Sequence, residues 1–294
     1  NLYSVNGEDA FILKYDNDNK IEWARILAAS GNDAFTKILP SENGFYLLGY
    51  YSSNPTFSAD VMASGVATTF QNIKGAIVKL NDEFKVEDVT GVGTKIIDLG
   101  FTEDGYVVLG HTTENITIPA ANTVARTGDI VLTKTGSTDT FVMAFDNNGF
   151  VKWGEIIGYA STKVEGVALT VTSNYDAVVS IKIDKPIVIS GAKTTNGQDL
   201  SVSNSKGYIE VKFNNAGKID HVHENYEITD LENTNDGGYI ATVRGNIPSN
   251  YVIPANETYL NEEISLPSGS KGFIMKYNDS GLIEYVLEMP DTST

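Results

Sequence analysis

Residues 15–23 read YDNDNKIEW, and the reading of this stretch decides the fold. Asp16, Asn17, Asp18 and Asn19 stand together between an apolar run, DAFILK (9–14), and an alternating one carried by Ile21, Trp23 and Arg25. They are either a calcium loop or a turn. An EF-hand-type loop needs oxygens at positions 1, 3 and 5, Gly at 6 and Glu at 12. Counted from Asp16, position 5 is Lys20, and the pattern fails. The turn is the stronger reading. A weak surface calcium site at Asp16 and Asp18 is the competing one.

The stretch also returns. LNDEFKVED (80–88), FDNNGFVKW (145–153), FNNAGKIDH (213–221) and YNDSGLIEY (277–285) align with it without a gap. Their starts lie 64 to 68 residues apart, and a strand-like run precedes each: KGAIVK, DTFVMA, GYIEVK and KGFIMK. The fifth position holds Asn19, Phe84, Gly149, Gly217 and Gly281. Gly and Asn there suit a left-handed residue, so the spacing predicts a hairpin closed by a type I turn with a bulge. The neighbouring Asp and Asn hydrogen-bond their own backbone.

A second hairpin follows in each repeat, as in 34–53 (Asn43-Gly44), 96–113 (Asp104-Gly105) and 228–245 (Asp236-Gly237-Gly238). The third repeat, TSNYDAVVS, has lost its Gly. A connector then carries a short strand, as in NITIPA (115–120), PIVIS (186–190) and NYVIPA (250–255), and reads as a small extra hairpin. Repeats of short antiparallel strands at this period, each unable to bury both faces alone, predict an all-β, β-propeller-like domain over 1–294. The repeats span 9–73, 74–138, 139–206, 207–270 and a partial 271–294, for about five blades. The first residues, LYSVNGED, resemble the end of a repeat. Either early and late strands share a blade, or the chain belongs to a longer array.

Composition agrees. The chain has 27 Gly, 15 Tyr and 12 Phe, and 41% hydrophobic residues suffice for a packed core. Without Cys there is no disulfide framework and no thiolate metal site. A net charge of −17 disfavours nucleic acid and anionic membranes. No apolar run is long enough to cross a bilayer as a helix. The start, NLYSVNGED, has no signal-peptide features, so any such peptide is expected to lie outside this sequence.

Few residues invite chemistry. His221 and His223 share a strand face and could grip Zn²⁺ or Cu²⁺. Yet His221 occupies the ninth position, held elsewhere by Trp23, Asp88, Trp153 and Tyr285, which favours packing. The rings at that position, Trp23, Trp153, His221 and Tyr285, are the candidate ligand-binding residues: exposed, they would stack on sugars; buried, they are core. Ser203-Asn204-Ser205-Lys206 matches Ser-x-x-Lys without its supporting motifs. Three His and no Cys leave few proton shuttles, so no catalytic residue is nominated.

DAFILKYDNDNKIEWARIL, GND, ENGFYLLGYYSS, ITIPA and DIVLTKTGSTDTFVMAFD together resemble the repeats of secreted and cell-surface propeller proteins of Gram-positive gut bacteria. Those repeats look like DGFIVKYDSNGNVEWAK followed by TSDGGYVVGGY. The resemblance implies export to the cell surface, fusion to neighbouring modules, and an adhesin-like role in binding a host or cell-surface protein or glycan. It brings no cofactor and no catalytic residue. VEDVTG in the second repeat and NYDAVVS in the third depart from the pattern, so the repeats are not equal in any ligand role. The connectors 52–73, 112–138, 184–206 and 246–270 vary most and are the expected binding loops. A pure spacer and a polysaccharide-active enzyme are the alternative readings.

Overall fold

The computed structural model of the protein describes residues 7–203, 207–225, 227–244, 251–266 and 272–289. Ser-x-x-Lys residues 204–206 and connector residues 246–250 and 267–270 lie outside these. Among the described residues the regular elements are β-strands and three single-turn 3-10 helices.

An opening hairpin pairs Phe11–Tyr15 with Ile21–Ile26. Four antiparallel four-stranded sheets follow, each with its strands in chain order. The first sheet is Ala34–Ser41, Gly44–Tyr50, Gly75–Leu80 and Val86–Gly91. The second is Lys95–Thr102, Gly105–Thr112, Asp139–Asp146 and Val151–Ile157. The third is Val164–Val171, Ala177–Ile183, Tyr208–Phe213 and Ile219–Asn225. The fourth is Glu227–Asn233, Tyr239–Arg244, Gly272–Tyr277 and Ile283–Glu288. Each sheet thus joins the second hairpin of one sequence repeat to the first hairpin of the next, half a repeat out of step with the sequence.

The nonapeptide is the turn between third and fourth strands. Its fifth residue is left-handed in all five copies, at φ 60, 57, 80, 80 and 77° for Asn19, Phe84, Gly149, Gly217 and Gly281. A register shift follows the third strand each time, the expected bulge. The side-chain oxygen of the second residue accepts backbone N–H groups: Asp16 from Asp18 and Lys20, Asp146 from Asn148 and Phe150, Asn214 from Ala216 and Lys218, Asn278 from Ser280 and Leu282. Asp and Asn are interchangeable there because the turn needs an acceptor, not a charge.

Each connector forms the expected small two-stranded sheet: Thr56–Phe57 with Thr68–Thr69, Ile116–Ile118 with Ile130–Leu132, Ile187–Ile189 with Leu200–Val202, and Val252–Ile253 with Ile264–Ser265. Thr123, Thr194 and Thr258 anchor the last three. Each is buried, closes its 3-10 turn with its hydroxyl, and bridges to the start of the fourth strand of its own sheet.

The chain divides into two compact bodies, 1–97 with 110–116, and 98–109 with 117–294. In the first, Leu27, Leu47, Tyr51, Phe57, Val78 and Leu80 form the core. Trp23 of the opening hairpin packs on Phe84 of the first sheet, ring centroids 4.6 Å apart. In the second body, successive sheets pack face to face. The Asp98 carboxylate accepts the Leu169 N–H at 3.1 Å, and the Ser180 hydroxyl donates to the Ile228 carbonyl at 3.3 Å. Ala168 and Val178 of the third sheet share one buried cluster with Phe273, Met275 and Tyr277 of the fourth.

Candidate functional site

The residue just before the nonapeptide is Lys14, Lys79, Lys212 or Lys276 in four repeats, and Ala144 in the fifth. The lysines are used structurally. Lys14 pairs with Glu22 at 2.6 Å and Lys79 with Glu87 at 3.0 Å. Lys212 pairs with Asp176 at 3.0 Å, and Lys276 with Asp236 at 3.0 Å and Glu284 at 3.2 Å. The eighth position of the nonapeptide is acidic in the same four repeats and is Lys152 in the second sheet. The polarity is therefore reversed there. Lys152 turns to Asp104 instead, at 2.7 Å, and Ala144 leaves the lysine's volume empty.

A pocket of about 200 Å³ lies at that place, between the second and third sheets. Val107 and Ala144 line it with apolar atoms, Trp153 and Tyr175 with rings, and Glu103, Asp104 and Lys152 with charge. Tyr175 is a second departure from the repeat. It stands where the fourth sheet has Gly237 (φ 93°), and it holds φ 62°. A tyrosine kept in the left-handed region costs about 1–2 kcal/mol, and such strain concentrates at functional positions.

Trp153 is half-buried. It stacks on Phe213 at 6.1 Å, and its indole N–H donates to the Asn215 carbonyl at 3.0 Å. Gly217 lies so close that a Cβ there would sit 2.6 Å from the indole. The ring is thus clamped to the third sheet while still lining the pocket. The hydrogen bond from Lys152 holds the Asp104 carboxyl below the usual carboxylate range. Asp104 is therefore a hydrogen-bond acceptor at neutral pH. Apolar floor, two rings and convergent polar groups suit a small polyhydroxylated ligand.

The four sequence-nominated rings stand on four different strands: Trp23 on the second strand of the opening hairpin, and Trp153, His221 and Tyr285 on the fourth strands of the second, third and fourth sheets. Trp23 is half-buried against Phe84. His221 sits over Gly281, whose Cβ would fall 2.7 Å from the imidazole. Tyr285 is exposed. Burial, with His223 and Lys212 nearby, pushes His221 down to about 3, and its Nε2 has no partner among the described residues. His221 and His223 touch edge to face at 4.7 Å. Among the described residues no group of three or more His, Cys, Asp or Glu is placed to hold a metal. Asp16 spends one carboxylate oxygen on the turn, and Asp18 points to solvent beside Lys20 at 3.9 Å.

Two of the expected connector loops meet at a second cleft of about 360 Å³. Ile156, Tyr159, Val188, Ile189 and Lys193 line it. Its carboxylate neighbour Glu155 pairs with Lys193 at 3.4 Å, and burial raises the Glu155 pKa.

No protein-family model matches the chain, and no curated protein matches it. Among solved structures it is similar to a protein of unknown function from Bacteroides caccae, at 10% identity and a TM-score of 0.35, over 74% of this chain and 71% of that one.

Proposed function

We propose that this protein is a non-catalytic, extracellular binding module of a bacterial surface protein, adhesin-like, with β-propeller-like sheets that number about five when the opening hairpin is counted. The ligand is a glycan, one ring of which enters the pocket beside Trp153. The observation that carries this reading is the coincidence of three departures from the repeat, Ala144, Lys152 and Tyr175, in the walls of one pocket. Drift scattered at random would not converge on one cavity. The volume, about 200 Å³, is below the ~300–1,000 Å³ of sites for drug-sized ligands and fits a single ring.

A protein ligand is the second reading. The apolar cleft between the connectors, with Tyr159 and Val188 exposed, favours it.

A glycan and host-matrix array with the purified chain tests both. Ala144→Lys refills the pocket with the side chain the other repeats carry. It is expected to abolish a glycan signal while leaving the melting temperature close to the parent's. A glycan signal that survives A144K refutes the pocket. A protein signal that survives A144K but is lost on replacing residues 186–190 supports the cleft.

A further inference from the structure

The charges around the pocket beside Trp153 are unevenly matched. Among the described residues that line it, the charged side chains are Glu103, Asp104 and Lys152. Lys152 is spent on Asp104, to which its ammonium donates at 2.7 Å. Glu103 stands exposed in the turn after Lys95–Thr102, and it has no ion-pair or hydrogen-bond partner among the described residues. Two carboxylates against one ammonium leave one negative charge at the pocket unmatched.

The fourth sheet shows the same place with its lysine present. Asp236 there corresponds to Asp104: each accepts the hydroxyl of the threonine two residues before it, Thr234 and Thr102. Lys276, from the third strand, lies 3.0 Å from Asp236 and 3.2 Å from Glu284, so one ammonium serves both carboxylates. In the second sheet the third strand supplies Ala144 instead, and the ammonium comes from Lys152 of the fourth strand. It serves Asp104, and Glu103 is left without a cation.

The walls discriminate in the same direction. The indole face of Trp153 attracts a cation and packs on the C–H side of a sugar ring. An acidic ring would meet no free cation, because Lys152 is the single ammonium among the described lining residues and is already paired. The net charge of −17 adds a field that repels anions and draws cations in.

We propose that the sugar ring entering this pocket carries a free, protonated amine: a hexosamine without an acetyl group, its ammonium on Glu103 and its apolar face on Trp153. This assignment rests on the glycan reading of the pocket. It excludes uronic acids and other acidic rings. Acetylation of the amine removes the charge and weakens binding.

Single-ring probes keep the test at the pocket: the methyl glycosides of glucosamine, N-acetylglucosamine and glucuronic acid. They are titrated against the full chain carrying Trp23→Phe, in which Trp153 is the remaining tryptophan and its fluorescence reads binding. The glucosaminide is expected to bind about tenfold more tightly than its acetylated form, the difference a charged hydrogen bond makes, and the glucuronide not to bind. Glu103→Gln keeps the shape of the side chain and is expected to bring the first two affinities together. The ratio is what is read, because a merely structural disturbance would lower both affinities alike. Equal affinity for amine and acetamide in the parent overturns the assignment and leaves the glycan reading standing. So does an amine preference that persists in E103Q, which would then belong to the overall charge of the chain, and so does a glucuronide that binds as well as the glucosaminide. If none of the three binds, the assignment falls, and the glycan array separates the two failures: a hit lost in A144K keeps the pocket as a glycan site, and a blank array removes the glycan reading as well.

Discussion

Glu210 sets a pH dependence whose sign and size follow from its seat in the third sheet. The same repeat position is Ile12, Ile77, Val142 or Ile274 in the other copies. Its carboxyl is fully buried; one oxygen accepts the Tyr239 hydroxyl and the other has no partner among the described residues. Desolvation dominates, against the pull of Tyr239 and Lys212, and raises the pKa from 4.5 to about 7. Below pH 4.5 the folded and unfolded chains both hold the proton. Between 4.5 and 7 the unfolded chain loses it first, so the folded chain binds more protons and stability falls as pH rises. Above 7 the loss is complete. Each tenfold difference in proton affinity between the folded and unfolded chains is worth about 1.36 kcal/mol, so the total is about 3 kcal/mol. Glu210→Gln keeps an acceptor for Tyr239 and cannot ionise. Relative to the parent it should gain about 3 kcal/mol between pH 4 and pH 8. Urea unfolding in a Trp23→Phe background checks this, because Trp153 then reports from the body that contains Glu210. Subtracting parent from variant at each pH cancels every other titrating group. Tyr239→Phe removes the donor that lowers the pKa and should push the transition to higher pH. A difference between variant and parent that is flat from pH 4 to pH 8 would refute the reasoning.

Three further outcomes are expected. Gly217→Ala meets both a left-handed φ and the indole of Trp153, and should cost about 2–4 kcal/mol; Gly149→Ala, with the same φ and open space around it, should cost only the backbone share of about 1–2. Equal losses in chemical unfolding would show that the indole does not rest on Gly217. His221 is depressed to about 3 from 6.5, so the stability it contributes is full above pH 6.5 and is lost as pH falls toward 3; acid unfolding of His221→Gln should begin at lower pH than that of the parent, and an unchanged midpoint would count against a buried neutral imidazole. Millimolar calcium in place of chelator should leave the melting temperature unchanged, because the Asp16 seat is filled by Asn in the third and fourth sheets with the same two backbone bonds; a rise would reinstate the site at Asp16 and Asp18.

The sequence carries the local structure well because hairpins are local. Turn residues, the left-handed fifth position, the bulge and the small connector hairpins all depend on neighbours within about ten residues, and each is legible in the quoted stretches. The sheet boundaries are not. A repeat has no marked beginning, and only strand pairing shows that Gly75–Leu80 joins Gly44–Tyr50 rather than closing a repeat of its own. The pocket was half legible. NYDAVVS stands out as a departure, but its consequence, a tyrosine at φ 62° facing a tryptophan from another sheet, depends on partners more than twenty residues away. The lysine ladder could have been read from the alignment: a column of Lys14, Lys79, Lys212 and Lys276 broken only by Ala144 is a signal, once the lysines are known to be paired.

Repetition also explains why departures are informative here. In a repeated sheet every position has a default partner, so a changed residue must either leave a gap or acquire a new role. Phe84 illustrates the second case. It occupies the left-handed fifth position, where a non-glycine costs about 1–2 kcal/mol. Its ring lies against Trp23 at 4.6 Å and stacks on Phe45 at 4.6 Å, and aromatic pairs contribute about 0.5–1.5 kcal/mol each beyond their buried area. The strain is offset within the first body. Ala144 illustrates the first case. No larger neighbour moves in, Lys152 is drawn away to Asp104, and Tyr175 bears a backbone cost with its ring only partly buried. A strained, half-exposed ring beside an unfilled volume lacks the compensation Phe84 has within the chain. The compensation is then expected from a ligand, and it is this asymmetry between two strained aromatics that directs attention to the pocket beside Trp153 rather than to the turn at Phe84.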